Sequence, residues 1–363
     1  MRDLELSVLD LSPVPSGSST SAALHETVEL GRIVERAGYR RMWLAEHHGI
    51  PSVASSSPEI LIQAVADATS TLRVGSGGIM LPNHSPLKVA ETFRALAGLH
   101  PSQDPSGTRI DLGLGRAPGT DPRTAIALRR RVGDPLRGGV EALTADDFPE
   151  QFAELRGYVD GLPADHPFAG IEAMPNDVPL PPVWILASSY YGGQAAAAFG
   201  TGFAYAGHFG GADPGEATRI YRRQFRPSDA AGAQDPHVIL AAAVMCSEDP
   251  GRARAMGRAH ALSMARLRTG NPGPLPSPEE ADAHDWSPVE LQVEQGMAAK
   301  MTAGTPDEVR ADLERRAQEA DADEIMIVSP IHDSDERRRS YELIADAFGV
   351  TGTTADRAAV ASA

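Results

Sequence analysis

The stretch between residues 72 and 114 decides the fold, because it reads LRVGS (72–76), then PLKVAETFRALAGL (86–99), then IDLGL (110–114). The two short runs suit strands, whereas the longer run repeats apolar residues every three or four positions, as a helix does. A strand, a helix and another strand in this order are typical of a parallel βαβ unit.

The same alternation continues along most of the chain and predicts eight strands with helical patterns between them. The predicted strands cover Leu4–Leu9, Met42–Ala45, Leu72–Ser76, Ile110–Leu114, Val183–Leu186, Gly202–Ala206, Val238–Met245 and Glu324–Val328. Because several of them lack polar alternation, both faces of the sheet are expected to be buried. We therefore predict an α/β fold in which residues 1–350 form one (β/α)8 TIM-barrel domain, with a doubly wound open sheet as the alternative.

Three insertions interrupt this alternation. The polar loop 101–108 precedes a strand, so we expect it on the rim remote from the site. Residues 136–182 are long and proline-rich toward their end, and residues 268–303 contain six glycines and prolines between positions 270 and 278. Long irregular segments are often lids, and we predict a mobile lid at about 268–303. The polar tail 351–363 is expected to be flexible.

The composition excludes several classes of function. Lys and Arg number 33 and Asp and Glu number 49, which gives a formal net charge of −16 and disfavours nucleic acid and anionic membranes as partners. No apolar run approaches the roughly 20 residues of a membrane span. Cys246 is the only cysteine, so internal disulfides and multi-cysteine metal sites are excluded. We expect a cytoplasmic protein.

Common sequence motifs of enzymes are missing. The chain has no P-loop, no G-x-S-x-G, no H-E-x-x-H and no complete G-x-G-x-x-G fingerprint. Instead, unusual residues follow the predicted strands, at the end of a barrel where active sites form. The first group is Glu46-His47-His48, in which one histidine would project into the mouth and act as acid or base. Alternatively, both histidines hydrogen-bond neighbouring loops, and because adjacent side chains diverge we predict no metal site there.

Three more groups follow later strands. The glycines of residues 75–78 would let a flat ligand lie against bare backbone, or form a tight turn. Arg116, among the glycines of residues 113–119, suits a phosphate or another anion, or a structural pair with a carboxylate. The hydroxyls of residues 188–191 precede a helix and suit an anion, or serve as an ordinary N-cap. The run Gly207–Gly211 is less informative alone.

With the motifs AEHH (45–48), GSGGIMLPNH (75–84) and GLGRAPGTD (113–121), the sequence resembles the bacterial luciferase-like flavin monooxygenase family. The resemblance extends from about residue 6 to about residue 347 and includes GTPDEV (304–309) and SPIHD (329–333). It implies a TIM barrel that binds FMN at the carboxyl ends of its strands.

The resemblance also implies roles for individual residues. His47 matches the acid–base group near the flavin, and Gly77–Gly78 matches a non-proline cis peptide beneath the flavin ring. The implied cofactor-binding residues are Glu46, Gly77, Gly78, Gly115, Arg116, Ala187, Ser188, Ser189 and Tyr190, of which the serines and Tyr190 match the phosphate-holding loop. Because Gly115 stands where luciferase has a reactive cysteine, light emission does not follow from the resemblance.

The mechanism implied by the resemblance needs a partner. A separate NAD(P)H:flavin reductase would deliver reduced FMN, which reacts with O2 to a C4a-peroxyflavin that oxygenates a small organic substrate such as an aldehyde or ketone. His47 would manage protons while the lid excludes water. The resemblance also implies a homodimer. The alternatives are a deazaflavin (F420)-dependent hydride-transfer enzyme, a non-catalytic flavin-binding protein and a metal hydrolase on the same barrel.

Overall fold

The computed structural model describes residues 4–117, 119–128, 147–228 and 234–350, so the predicted flexible tail lies outside the described residues. Eight parallel strands form a closed barrel. They are β1 (Glu5–Asp10), β2 (Arg41–Leu44), β3 (Arg73–Ser76), β5 (Ile110–Gly115), β6 (Val183–Ala187), β7 (Gly202–Ala206), β8 (Val238–Cys246) and β10 (Glu324–Val328). Each pairs with the next in this order, and β10 pairs with both β8 and β1. The barrel is confirmed and the open sheet was wrong.

Two short strands extend the carboxyl end of the barrel. β4 (Ile79–Met80) pairs with β5, and β9 (Thr302–Gly304) pairs with the end of β8. The helices are α1 (Thr20–Ala37), α2 (Pro58–Ala68), α3 (Pro86–Leu99), α4 (Pro122–Leu128), α5 (Phe148–Asp160), α6 (Tyr190–Phe199), α7 (Pro214–Gln224), α8 (Pro250–Arg268), α9 (Pro278–Asp282), α10 (Pro288–Ala298), α11 (Pro306–Ala320) and α12 (Ser334–Phe348). The helix α5 falls inside the segment 136–182, which the sequence pattern treated as irregular.

The chain leaves the outer helical ring between β8 and β9. Helix α11 packs against α7 and α12 and so completes the ring at this point. Helix α8 instead packs against α9, α10 and β9. We call residues 247–301 the excursion. It contains the predicted lid segment 268–303 almost entirely, but it begins earlier because α8 belongs to it.

The amino end of the barrel is filled by charged side chains. Arg41 forms ion pairs with Asp111 at 2.8 Å and with Glu324 at 2.9 Å, and all three are buried. Arg73 joins Asp111 to Asp104 of the polar loop 101–108. This loop therefore lies at the end remote from the site, as predicted. Among the described residues, no helix is long and apolar enough to cross a membrane.

Candidate active site

The four loops singled out from the sequence lie on one rim of the barrel. They follow β2, β3, β5 and β6, which are neighbours in the sheet, and parallel strands place their carboxyl ends at the same edge. The structure thereby brings Glu46 and His47, Gly77 and Gly78, Gly115 and Arg116, and residues 187–190 to adjacent positions.

Glu46 accepts hydrogen bonds from several groups on this rim. Its carboxylate is fully buried and accepts hydrogen bonds from Met80 N at 2.8 Å, Asn83 Nδ2 at 3.1 Å, His48 Nε2 at 2.9 Å and His84 Nε2 at 3.0 Å. Burial raises the pKa of Glu46, but the hydrogen bonds from the two histidines outweigh it and hold the pKa at about 2. Glu46 therefore positions the loop of residues 79–84 as an anion whose oxygens are already occupied by protein donors.

His47 points toward the barrel mouth, and His48 turns back to Glu46. Because a carbonyl can only accept, Nδ1 of His47 donates to the Gly119 carbonyl at 3.2 Å, which leaves Nε2 of the neutral ring as an acceptor. Burial lowers the pKa of His47 below its ordinary value, and this outweighs the hydrogen bond to Gly119 and the charge of Glu46. The ring is therefore a neutral base near pH 7.

The Gly77–Gly78 bond is a non-proline cis peptide, as the resemblance implied. Side chains have no room there: a Cβ on Gly77 would come within 2.5 Å of Leu9 Cδ1, and one on Gly78 within 2.7 Å of the Gly113 carbonyl oxygen. A Cβ on Gly115 would likewise come within 2.5 Å of Met80 Sδ. This part of the rim is therefore built from backbone alone.

Arg116 and the start of α6 form the other side of the rim. The Arg116 guanidinium carbon lies 4.5 Å from the ring centre of Tyr191 in the first turn of α6. No ion pair joins Arg116 to a carboxylate of the described residues, in contrast to the structural pair considered as an alternative. Ser189 caps the helix by accepting from Gly192 N at 3.4 Å, so the N-cap interpretation of this serine is confirmed. The cap engages one first-turn N–H group, and the other first-turn N–H groups of a helix have no intrahelical partner, so they can donate to an anion.

A cavity opens beside His47, with a volume of about 110 Å³ that the centre of a water molecule can reach. Its wall comes from the rim and from the excursion. The polar side chains in it are few, namely His47, Ser52, His208, His260, Ser263 and the exposed Arg268. The rest of the lining is apolar and includes Leu11, Ile50, Phe209, Met264, Leu275 and Val328. Such a lining suits an organic ligand shielded from water.

Sequence reasoning missed two residues of this site. His260 lies on α8, where one histidine in an amphipathic pattern gives no signal that it faces a ligand cavity. His84, which anchors Glu46, stands in a quoted motif but its role needs the fold. Of the described residues, the group that could ligate a metal is Glu5, His237 and Glu324. It lies at the amino ends of the strands and includes none of the cavity histidines.

Comparison with known proteins assigns a family. The sequence profile of the luciferase-like monooxygenases matches residues 4–324. A luciferase-like monooxygenase of Escherichia coli (strain K12) is 38% identical over 345 residues, which cover 95% of this chain and 97% of that protein. The N-acetyl-S-alkylcysteine monooxygenase of Bacillus subtilis (strain 168) is 31% identical and covers 95% of this chain and 98% of its own length.

Solved structures agree on the fold. Apo-MsnO8 superposes with a TM-score of 0.81 at 35% identity, over 96% of this chain and 99% of its own. The FMN complex of the oxygenating constituent of 3,6-diketocamphane monooxygenase, from a Pseudomonas putida plasmid, has a TM-score of 0.68 at 16% identity, over 95% and 98% of the two chains. An F420-dependent secondary alcohol dehydrogenase has a TM-score of 0.65 at 14% identity, over 95% of this chain and 99% of its own. The latter two show a shared fold alone.

Proposed function

Because this chain belongs to the luciferase-like monooxygenase family, we propose that it is an FMN-dependent monooxygenase that uses reduced FMN and O2 to oxygenate a small organic substrate, such as an aldehyde or a ketone. The observation that carries the proposal is the meeting of His47, the Gly77–Gly78 backbone and Arg116 on one rim beside an apolar cavity. When bound, reduced FMN would supply the electrons that activate O2.

The phosphate of FMN fits the Arg116 side of the rim. A guanidinium without a carboxylate partner among the described residues stands at the N-terminal turn of α6, where the helix dipole also favours an anion. Ser188 and Tyr190 flank the N-cap residue Ser189, so residues 187–190 would hold the phosphate together with Arg116. In this arrangement Ser189 would keep its capping role.

The ring system of FMN fits the glycine backbone. Side chains at residues 77, 78 and 115 would collide with the barrel wall, so the rim offers a surface of backbone on which a planar ring would lie. Glu46 would act from behind this surface by holding the loop 79–84, since its oxygens are engaged by protein groups. His47 would accept and return a proton through Nε2 at the substrate.

The excursion would act as the lid. It supplies part of the cavity wall and is fastened to the loop after β1, because Leu275 N donates to Val14 O at 2.8 Å and Ser16 N donates to Leu275 O at 2.8 Å. Closing this apolar wall would exclude water from the reaction, which favours oxygen transfer over release of peroxide.

Titration with oxidised FMN, reduced FMN and F420, followed by rapid mixing of the reduced complex with O2, tests this function. We expect reduced FMN to bind, and the return of oxidised-flavin absorbance to be delayed relative to free flavin. Product formation is then screened with aldehydes and ketones in the presence of a generic flavin reductase. Tight binding of reduced F420, with hydride transfer and no O2 consumption, would instead establish the F420 enzyme. Flavin binding without any turnover would establish the non-catalytic protein.

Two partners belong to the proposal. The chain has no complete dinucleotide fingerprint, so a separate NAD(P)H:flavin reductase would supply reduced FMN. We also propose a homodimer, as the resemblance implies. Light scattering of the purified protein, which gives the molar mass in solution, tests the dimer, and a mass near the monomer's 38.4 kDa would contradict it.

A further inference from the structure

Two histidines in the cavity have no part in the mechanism above. His208 follows β7 on the barrel rim, and His260 lies on α8 of the excursion, on the other side of the cavity. His208 is 9% exposed. Its ring packs against the ring of Phe209, with the ring centres 4.1 Å apart, and also contacts the carbonyl of Ala241. Its Nδ1 makes no hydrogen bond of ordinary geometry to any described residue.

A buried ring nitrogen that makes no well-formed hydrogen bond costs free energy in an apolar environment, and a polar group of a bound ligand would remove that cost. Both rings are uncharged near neutral pH. Burial, with a smaller contribution from nearby His260 and His47, lowers the pKa of His208 to about 3, and burial lowers the pKa of His260 to about 4. A neutral imidazole offers one hydrogen-bond donor and one acceptor. His208 and His260 can therefore form hydrogen bonds with a carbonyl or a hydroxyl of a ligand without burying a charge.

We propose that His208 and His260 are substrate-binding residues, which hold by hydrogen bonds the single polar group of an uncharged and otherwise apolar substrate next to His47. The assignment rests on the proposed function, since it takes the cavity to be the substrate site. A charged substrate does not fit this part of the wall, because neutral rings among Leu11, Phe209 and Val328 offer no compensation for a buried carboxylate. Arg268, whose side chain also lines the cavity, is exposed.

Acetophenone, ethylbenzene and benzoate are suitable probes, because they share a ring and differ in the polar group. Calorimetric dissociation constants are measured for the wild type, His208→Phe and His260→Phe. The wild type should bind acetophenone at least tenfold more tightly than benzoate. Each variant should bind acetophenone roughly tenfold more weakly than the wild type, because one hydrogen bond is lost. Its dissociation constant for ethylbenzene should stay within about twofold of the wild-type value.

The matched control is His100→Phe. His100 is also a buried histidine, but it caps the end of α3, bonds to Gln63 and is not part of the cavity lining. This variant should bind all three probes as the wild type does. His208→Gln, which keeps a polar side-chain end, should recover part of the acetophenone affinity.

Three outcomes would overturn the assignment: no acetophenone binding by the wild type, unchanged acetophenone affinity in both phenylalanine variants, or an equal loss for ethylbenzene. The last would show that the rings only shape the cavity. The flavin measurements separate this result from the proposed function. Wild-type turnover with reduced FMN alongside unchanged probe binding in the variants would refute the histidine pair alone. Histidine-dependent probe binding without any flavin reaction would refute the monooxygenase alone.

Discussion

At the scale of single residues, His47 carries the clearest prediction. Replacing His47 with alanine should lower turnover by about 10²–10⁴-fold, because a positioned base is lost, while reduced-flavin affinity changes little. Steady-state product formation and flavin titration measure the two effects. The exposed His25 on α1 gives a control variant, His25→Ala, which should behave as the wild type. Undiminished turnover of His47→Ala would remove this histidine from the mechanism.

The pH profile gives a second check on the same residue. The pKa of His47 is depressed, because burial disfavours the charged ring. The neutral ring therefore persists as the pH falls past about 6.5, the ordinary histidine value. Activity that needs neutral His47 should therefore decline only at a pH lower than the one at which an ordinary histidine becomes protonated. A midpoint at or above about 6.5 would contradict this assignment.

Arg116 is predicted to recognise the phosphate, and riboflavin, which lacks that group, provides the test. Arg116→Ala should weaken FMN binding about 10- to 100-fold, the size of a charge-assisted hydrogen bond, and leave riboflavin binding nearly unchanged. Arg116→Lys keeps the positive charge and should therefore lose less FMN affinity than Arg116→Ala does. Equal losses for FMN and riboflavin would place Arg116 away from the phosphate.

The sequence could indicate these residues because each follows a strand, and a barrel gathers such positions on one rim. It could not show that Glu46 has its oxygens engaged by Met80, Asn83, His48 and His84, since this depends on how the loop 79–84 folds back. Nor could it separate His47 from His48 beyond the alternation of side chains. The structure resolves this, because only one of the two rings faces the cavity.

At the scale of elements, the anchor of the excursion is open to test. Glu280 at the start of α9 accepts from Ser277 N at 2.7 Å and from Ser16 Oγ at 2.6 Å, so it ties the excursion to the loop after β1. Glu280→Ala should loosen the lid and raise the hydrogen peroxide formed per O2 consumed several-fold. Coupled assays of peroxide and product measure this ratio.

A matched control exists in the next helix. Glu290 closes the same kind of capping box with Ser287 at the start of α10, without a bond to the loop after β1. Glu290→Ala removes the equivalent cap and should leave the peroxide ratio near the wild-type value. If both variants raise the ratio equally, helix capping rather than the anchor is responsible.

The excursion also marks where the pattern of the sequence stops being informative. Helix α8 directly follows β8, which is the position of a ring helix when strands and helices alternate. Periodicity reports that one face of a helix is buried, but not which partner buries it. Only the packing of α11 between α7 and α12 reveals that the ring position is already filled.

At the scale of the whole molecule, the charges at the amino end predict acid sensitivity. Burial raises the pKa of Glu324, but Arg41 and His237 outweigh it and hold the pKa at about 2, below the ordinary value of about 4.3. A depressed carboxylate pKa stabilises the fold fully above the unfolded value. That stabilisation is lost as the pH falls from about 4.5 toward 2. Urea unfolding followed by tryptophan fluorescence should show this loss.

The variant Glu324→Gln isolates the effect. It leaves buried Arg41 with one carboxylate partner, Asp111, and should cost about 3–5 kcal/mol of unfolding free energy at pH 7. Its stability should fall less than that of the wild type between pH 4.5 and 2. The exposed Glu319→Gln is the control and should follow the wild-type curve. A parallel pH dependence of Glu324→Gln and wild type would assign the acid sensitivity elsewhere.

The short pairing of β8 with β9 has a consequence for engineering. Val244 stands beside Thr302 and Cys246 beside Gly304, so the two ends of the excursion meet side by side in one parallel bridge. A segment with adjoining ends can be exchanged at two neighbouring junctions without altering how the cylinder closes. Grafting the corresponding stretch from a relative would transplant one wall of the chamber and keep the rim beneath it, which makes this stretch a natural cassette for changing which molecules the scaffold accepts.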